Sequence, residues 1–264
     1  MTTVLMCRPD FYGIEYEINP WMRRQRPADQ CRAASQWHAL HQALTTLGVR
    51  VELVAPVAGL PDLVFTANAG LVHDGVAVLS NFRYPQRAGE QPVFRAWFES
   101  RGLRVVELPP SLCFEGAGDS FIVGDRLFAG YPFRGDRAAH ACIGRLVDKE
   151  PVSVELVDPC FYHLDTCFAP LNDDVALYYP EAFSSTSREL LQRHFPDLIA
   201  VSSAEARRFA CNVVVIGNTV VFNRGCPETE ARLAERGYRC LPIPTSEFIK
   251  AGGSAKCLTL IIND

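Results

Sequence analysis

No block of Lys and Arg runs through this chain, and no apolar stretch approaches the roughly 18 uninterrupted residues that a membrane-spanning helix requires. The first absence removes the electrostatic footprint of a nucleic-acid or anionic-membrane partner, and the net charge of −4 points the same way. The second, with no apolar signal segment after the first Met, makes the cytoplasm the expected location. Missing too is any C-x-x-C pair among the ten cysteines. Neither a disulfide framework nor a structural zinc is therefore expected. Cys7, Cys113, Cys142, Cys160, Cys167, Cys211 and Cys240 lie in or beside apolar stretches and read as core filler. His38 and His41 are three apart on an amphipathic stretch, but no further ligands stand near them in the sequence. No metal and no cofactor is expected. What is present is 264 residues, 48% of them apolar, enough to bury a core as a single domain over 1–264. These bounds favour a small-molecule partner and leave open whether identical subunits associate.

Apolar runs separated by turn signals give hairpins at 69–80, 119–131, 165–179 and 212–223. A fifth half-hairpin, 257–262, ends the chain, and the N-terminal strand 3–7 is its expected partner. Each hairpin is preceded by one more strand (49–54, 103–108, 152–157, 198–202, 238–243) and, before that, by a helix-like stretch (28–47, 91–101, 137–148, 187–194, 228–236). A unit of helix, strand and hairpin thus recurs about every fifty residues, a period at which propellers must be considered. The predicted fold class is α/β, with five helix-strand-hairpin units closed into a ring and one blade completed by strands from both ends of the chain. An open α/β sandwich is the plainer alternative.

Superposing the units puts Asn68, Asp119, Asp165, Asn212 and Cys257 at or just before the first hairpin strand. Equivalent positions in a ring face one axis, so a thiol and several acids or amides would converge there. Loops just ahead contribute Glu115 and His163. Such a set suits a guanidinium, a poor electrophile that needs a strong nucleophile and carboxylates to hold it. Cys257 supplies the thiolate, Glu115 and Asp165 the charge-assisted acceptors, His163 the proton transfer, and Arg134 a fork for a substrate carboxylate. Each residue alone has a duller reading: turn acids usually cap backbone, and a Cys before an apolar strand is usually filler. Ser184–Ser187 reads as a helix start, Cys226 as a loop-to-helix entry, and Lys256 is expected to point away from the pocket by strand alternation. The stretch 23–27 is either a lid carrying Asn19 or an exposed connection.

Four motifs, Phe65-Thr66-Ala67-Asn68-Ala69-Gly70, Glu115-Gly116-Ala117-Gly118-Asp119, His163-Leu164-Asp165-Thr166 and Gly252-Gly253-Ser254-Ala255-Lys256-Cys257-Leu258-Thr259, resemble those of the guanidino-group modifying superfamily. The resemblance spans essentially the whole chain and implies a pseudo-fivefold α/β propeller, or pentein. The opening, Cys7-Arg8-Pro9-Asp10-Phe11-Tyr12 and Ile18-Asn19-Pro20-Trp21-Met22, is most similar to the guanidine-removing domain of arginine dihydrolases. The resemblance implies catalytic Cys257, His163 and Glu115, with Asn19, Phe65, Asn68, Asp119, Arg134 and Asp165 lining the substrate site. It also exposes one departure: deiminases and dimethylarginine hydrolases usually carry Asp where Asn68 stands. A neutral amide can bind a ureido group as donor and acceptor, so citrulline could be retained and hydrolysed again to ornithine, carbon dioxide and ammonia. Arginine dihydrolase is accordingly the expected activity. A single hydrolysis to citrulline, amidino transfer to an amine, and binding of arginine without turnover are the alternatives.

Overall fold

A computed structural model describes residues 2–262. Among them lie five sheets of three strands each. In chain order from the second unit these are Gly70–His73, Val76–Leu79 and Arg104–Val106; Ser120–Val123, Arg126–Tyr131 and Glu150–Glu155; Phe168–Pro170, Val175–Tyr178 and Asp197–Ala200; and Val214–Ile216, Thr219–Asn223 and Arg239–Ile243. The remaining sheet combines Thr3–Cys7 and Arg50–Val54 with Leu260–Ile262, so both ends of the chain meet in it, Thr3 opposite Ile262. Every sheet has the same pairing. The first hairpin strand is antiparallel to the middle strand, and the outer strand lies parallel to it.

Local sequence explains both the hairpins and the crossovers. In His73-Asp74-Gly75-Val76 the two central residues have φ of +46° and +72°, the pairing that a tight hairpin twist requires and that Asp-Gly supplies. Parallel strands need a crossover, and the predicted helices provide it as Gln30–Thr46, Glu90–Ser100, Arg137–Val147, Ser185–His194 and Pro227–Glu235. The first buries Ala33, Gln36, Trp37, Leu40 and Leu44, one stripe at three- to four-residue spacing, and Asp29 caps it by accepting from the Arg32 N–H. Ser184 caps the fourth helix through the Ser187 N–H, and Cys226 precedes Pro227 at the start of the fifth.

Apolar packing falls into four clusters among the sheets and their helices. Just ahead of the first hairpin strands, buried polar residues such as Asn68, Asp119, Asp165 and Asn212 join the apolar ones. There the prediction needs correcting: each first hairpin strand begins one to three residues later than expected, at Gly70, Ser120, Phe168, Val214 and Leu260. The residues ahead of it turn rather than extend. Thr66–Ala69, Gly116–Gly118 and Leu164–Thr166 are single 3₁₀ turns, and 255–258 is a turn as well. Two of these turns touch backbone to backbone. Gly116 has φ +64°, and a Cβ on it would lie 2.7 Å from the Gly70 carbonyl oxygen, so only glycine fits.

Candidate active site

The inner turns hold one another through side chains. Asn68 Nδ2 donates to the Glu115 carbonyl (3.1 Å), and His163 Nε2 lies 2.8 Å from Glu115 Oε2. Asn212 Nδ2 donates to the Asp165 carbonyl (2.9 Å), while Asn212 Oδ1 accepts from the Cys257 N–H (3.2 Å). The Ala67 N–H then donates to the Cys257 carbonyl (3.1 Å), which returns the series to the first turn. Residues nearly two hundred positions apart are thereby neighbours.

Beside these turns lies a small pocket. Cys257, His163, Asn68, Phe65, Arg134 and Asn19, six of the nine residues picked from the sequence, line it. Cys257 Sγ stands 3.3 Å from Asp165 Oδ2 and accepts from Asn212 Nδ2 at 3.1 Å. Burial, reinforced by Asp165, pushes the thiol well above its ordinary pKa. Burial also raises the Asp165 carboxyl to about 6, with Lys256 pulling the other way, and Asp165 Oδ1 is buried with no partner. In the ligand-free protein Cys257 is therefore held as a thiol.

Glu115 occupies a different position from the one the sequence suggested. It is fully buried behind His163 rather than on the pocket wall, because its Oε2 is already shared by His163 and by Arg134 Nη1 (2.9 Å). Burial alone would raise its carboxyl; Arg134 and the His163 hydrogen bond outweigh that and hold it well below the ordinary range. An ionised carboxylate only accepts, so the His163 proton sits on Nε2 and Nδ1 is left for exchange. Burial draws the His163 imidazole down to about 4 against the pull of Glu115, so it is neutral at pH 7.

The remaining predicted residues divide. Arg134 is stacked between the rings of Tyr84 (4.7 Å) and Tyr162 (4.6 Å), and besides Glu115 it donates to the Ile18 carbonyl, so only part of its fork faces the pocket. Asn19 Oδ1 accepts from the Trp21 and Met22 N–H groups and its Nδ2 donates to the Ala251 carbonyl, which ties the 18–22 loop across the pocket mouth. Trp21 secures that loop again through its indole N–H to the Cys160 carbonyl (2.7 Å). The 23–27 stretch is a turn closed by the Arg26 N–H on Arg23. Phe65 packs against Gly253, where a Cβ would come within 2.4 Å of the ring. Asp119 is buried away from the pocket, both carboxylate oxygens without partners. Lys256 does face away from the pocket, its Nζ reaching the Ala117 carbonyl at 3.4 Å, but it stands in a turn, so strand alternation is not the reason.

Asp62 and Arg87 also line the pocket and were not foreseen. Arg87 makes a two-pronged pair with Glu90 (2.7 Å on each arm) and donates to Asn68 Oδ1 at 2.9 Å. Asp62 accepts from the Tyr16 hydroxyl (2.9 Å), and its Oδ1 is buried without a partner. The Arg-x-x-Glu spacing at 87–90, and an acid three residues before Phe65, were the available signals. Among the described residues, no group of three or more His, Cys, Asp or Glu side chains is arranged to hold a metal, and no helix is long and apolar enough to cross a membrane.

Known proteins share this arrangement of chain. The family model for eukaryotic N,N-dimethylarginine dimethylhydrolase matches residues 15–263. The bifunctional arginine dihydrolase/ornithine cyclodeaminase ArgZ of Synechocystis sp. is 45% identical over 266 residues, covering 99% of this chain and 38% of ArgZ. The N(G),N(G)-dimethylarginine dimethylaminohydrolase of Mycobacterium tuberculosis is 44% identical over 258 residues, covering 98% of this chain and 85% of that protein. A crystal structure of the N-terminal domain of ArgZ with bound substrate, an arginine dihydrolase from the ornithine-ammonia cycle in cyanobacteria, has a TM-score of 0.97 at 44% identity, covering 100% of this chain and 99% of that domain. This chain spans only 38% of the length of the bifunctional relatives. Matched by the family model from residue 15 to 263 and by such relatives over nearly its full length, the chain belongs to the dimethylarginine dimethylhydrolase family of guanidino-group modifying proteins.

Proposed function

We propose that this chain is a cysteine-dependent hydrolase that takes the guanidino group of L-arginine through two hydrolyses, to ornithine, carbon dioxide and two molecules of ammonia. The observation that carries this reading is a pocket offering a thiol, an imidazole and the unpartnered buried oxygen Asp62 Oδ1 in its wall, with the Asp165 carboxyl behind the sulfur, its Oδ2 3.3 Å from Sγ and its Oδ1 unpartnered. A buried carboxylate oxygen without a partner is costly unless a ligand supplies one. Arginine has a cation at each end. Its guanidinium suits Asp165, its α-ammonium suits Asp62, and the free N–H groups of Arg134 suit its α-carboxylate.

The bound guanidinium lowers the cost of a negative sulfur, and the thiol proton passes to His163, whose imidazolium Glu115 stabilises. Sγ attacks the guanidinium carbon, and His163 returns the proton to the departing nitrogen, which leaves as ammonia. The neutral imidazole then takes a proton from water, the hydroxide attacks the thiouronium carbon, and the C–S bond breaks to give the ureido group. Asn68 governs the fate of that group. Its amide uses one donor on the Glu115 carbonyl and one lone pair on Arg87, which leaves one donor and one acceptor for the ureido group. Retained in this way, the ureido carbon meets the thiolate again, and a second water releases ornithine, carbon dioxide and the second ammonia.

The proposed architecture is one domain over 1–264 with its five units closed into a ring, supported by the hydrogen-bond series that runs from Asn68 round to Ala67 and by the shared sheet of the chain ends. The proposed setting is the cytoplasm, in keeping with ten unpaired cysteines. A second reading, hydrolysis of dimethylarginine to citrulline and dimethylamine, is favoured by the family model and the mycobacterial relative. Product analysis separates them. Arginine giving ornithine and ammonia in a 1:2 ratio supports the first; dimethylamine from dimethylarginine, with arginine untouched, supports the second. Citrulline as the sole product from arginine would sink the dihydrolase reading.

A further inference from the structure

We propose that Asn212, a residue outside the pocket, is the positioning residue of the nucleophile: its carboxamide fixes the Cys257 turn and presents an N–H to the sulfur that favours thiolate over thiol. The inference rests on Cys257 being the nucleophile. Asn212 is completely buried, and its side chain uses all the hydrogen-bonding capacity it has. Oδ1 accepts from the Lys256 N–H (3.0 Å) and the Cys257 N–H (3.2 Å), while Nδ2 donates to the Asp165 carbonyl (2.9 Å) and to Cys257 Sγ (3.1 Å). Two acceptor sites and two donors are filled. The orientation of the amide is therefore determined. Flipped, it would set Oδ1 against the Asp165 carbonyl and its NH₂ against two backbone N–H groups.

This geometry treats the two protonation states of the sulfur differently. As a thiol, Cys257 donates to Asp165 Oδ2 at 3.3 Å. Once the proton leaves, that contact sets one anion beside another, whereas the Asn212 N–H becomes a charge-assisted donor to the sulfur. Lys256 is the nearest cation in sequence, but its ammonium is turned to the Ala117 carbonyl and the Phe121 ring. A fixed donor aimed at charge that develops only when the nucleophile is armed acts as oxyanion-hole donors do. It also holds the nucleophile's turn against the Asp165 turn, so the two Sγ contacts cannot vary independently.

The test alkylates the ligand-free enzyme with iodoacetamide across pH and reads the Cys257 peptide by mass spectrometry, alongside kcat and KM for arginine. Asn212→Ala is expected to move the alkylation midpoint up by about one pH unit and to lower kcat by about ten- to a hundredfold, with KM changed by less than about threefold. Asn212→Asp, which keeps an acceptor for both backbone N–H groups, is the second variant should the first not fold, and its midpoint is expected to rise as well. A folded variant of either kind with the parental midpoint and kcat would overturn the proposal, because a purely structural role moves neither. The alkylation arm needs no substrate. If the parent fails to hydrolyse arginine, the reading of the substrate falls while the Asn212 measurement stands.

Discussion

Two groups of buried acids stand behind the pocket wall, and they are built in opposite ways. On one side Glu115 and Glu90 are matched with Arg134, Arg87, His163 and the Arg83 N–H, all four oxygens having a partner within 3.2 Å. On the other, Asp165 and Asp119 bury three oxygens that meet no donor. Titration follows burial as well as pairing. Its partners hold Glu115 well below the ordinary carboxylate range, whereas burial raises Glu90 to about 7 against the pull of Arg87, Asp165 to about 6 and Asp119 well above its ordinary value. A matched acid supports structure whether or not a ligand is present; an unmatched one is destabilising until a cation arrives. On the proposed function the first side is a frame for His163, and Asp165 makes the second a receptor.

The sulfur stands on the receptor side, and removing it is the largest change available. Cys257→Ser is expected to lower turnover by about 10⁴-fold or more, while calorimetry still registers arginine binding, since every acid that meets the cations remains. Next come two substitutions that remove one charge from each side and should move stability in opposite directions. Glu115→Gln leaves Arg134 buried without its counter-ion and should cost about 3–5 kcal/mol in denaturant unfolding at pH 7. Its depressed pKa gives stability above the unfolded value, lost as pH falls, so the variant's deficit should shrink in acid. For Asp165 the sign reverses. A folded pKa of about 6 against 3.8 unfolded means the native state holds the proton more tightly, so stability from this group is present in acid and lost as pH rises through 6. Asp165→Asn should therefore stabilise the ligand-free protein by about 1–3 kcal/mol at pH 8 and abolish the rise of kcat/KM through pH 6 that is expected of the parent. Equal destabilisation by both substitutions would erase the distinction between frame and receptor. A smaller change, Asn68→Asp, adds a charge where the two sides meet; quantified products should shift from ornithine towards citrulline by about tenfold.

Legibility in the sequence followed the same division. The repeat could be read because hairpin turns and helix starts are local events: Asp74-Gly75 and the Ser184 cap need only their neighbours. Cys257 could be placed in the pocket because equivalent positions in a repeat converge, and His163 because it stands in the loop just ahead of one such position in a motif that resembles the family's. Arg87 and Asp62 could not, since a surface-like Arg-x-x-Glu pair and an acid in a Pro-Asp turn have ordinary explanations until the chain folds them into one pocket. The late start of the strands escaped as well. Apolar runs mark where a strand is buried, but a 3₁₀ turn among the same residues is dictated by contacts with the adjoining turn, such as Gly116 against Gly70, almost fifty residues away.

Asp119 offers the mildest and most discriminating trial of the division. The sequence groups it with the substrate acids, yet it stands outside the pocket, completely buried, with Glu115 as its charged neighbour and neither oxygen matched. Burial first and Glu115 second push its carboxyl well above the ordinary range, which favours the neutral form over one that could hold a guanidinium. A protonated acid and an amide are close in shape and both neutral. Asp119→Asn should therefore change stability by less than about 1 kcal/mol, leave kcat/KM within about threefold of the parent, and leave the pH 6 rise to Asp165 intact. A hundredfold loss of kcat/KM for this variant, with an unchanged melting temperature, would instead place Asp119 among the ionised acids that face the substrate, and the receptor side would then extend beyond the visible pocket wall.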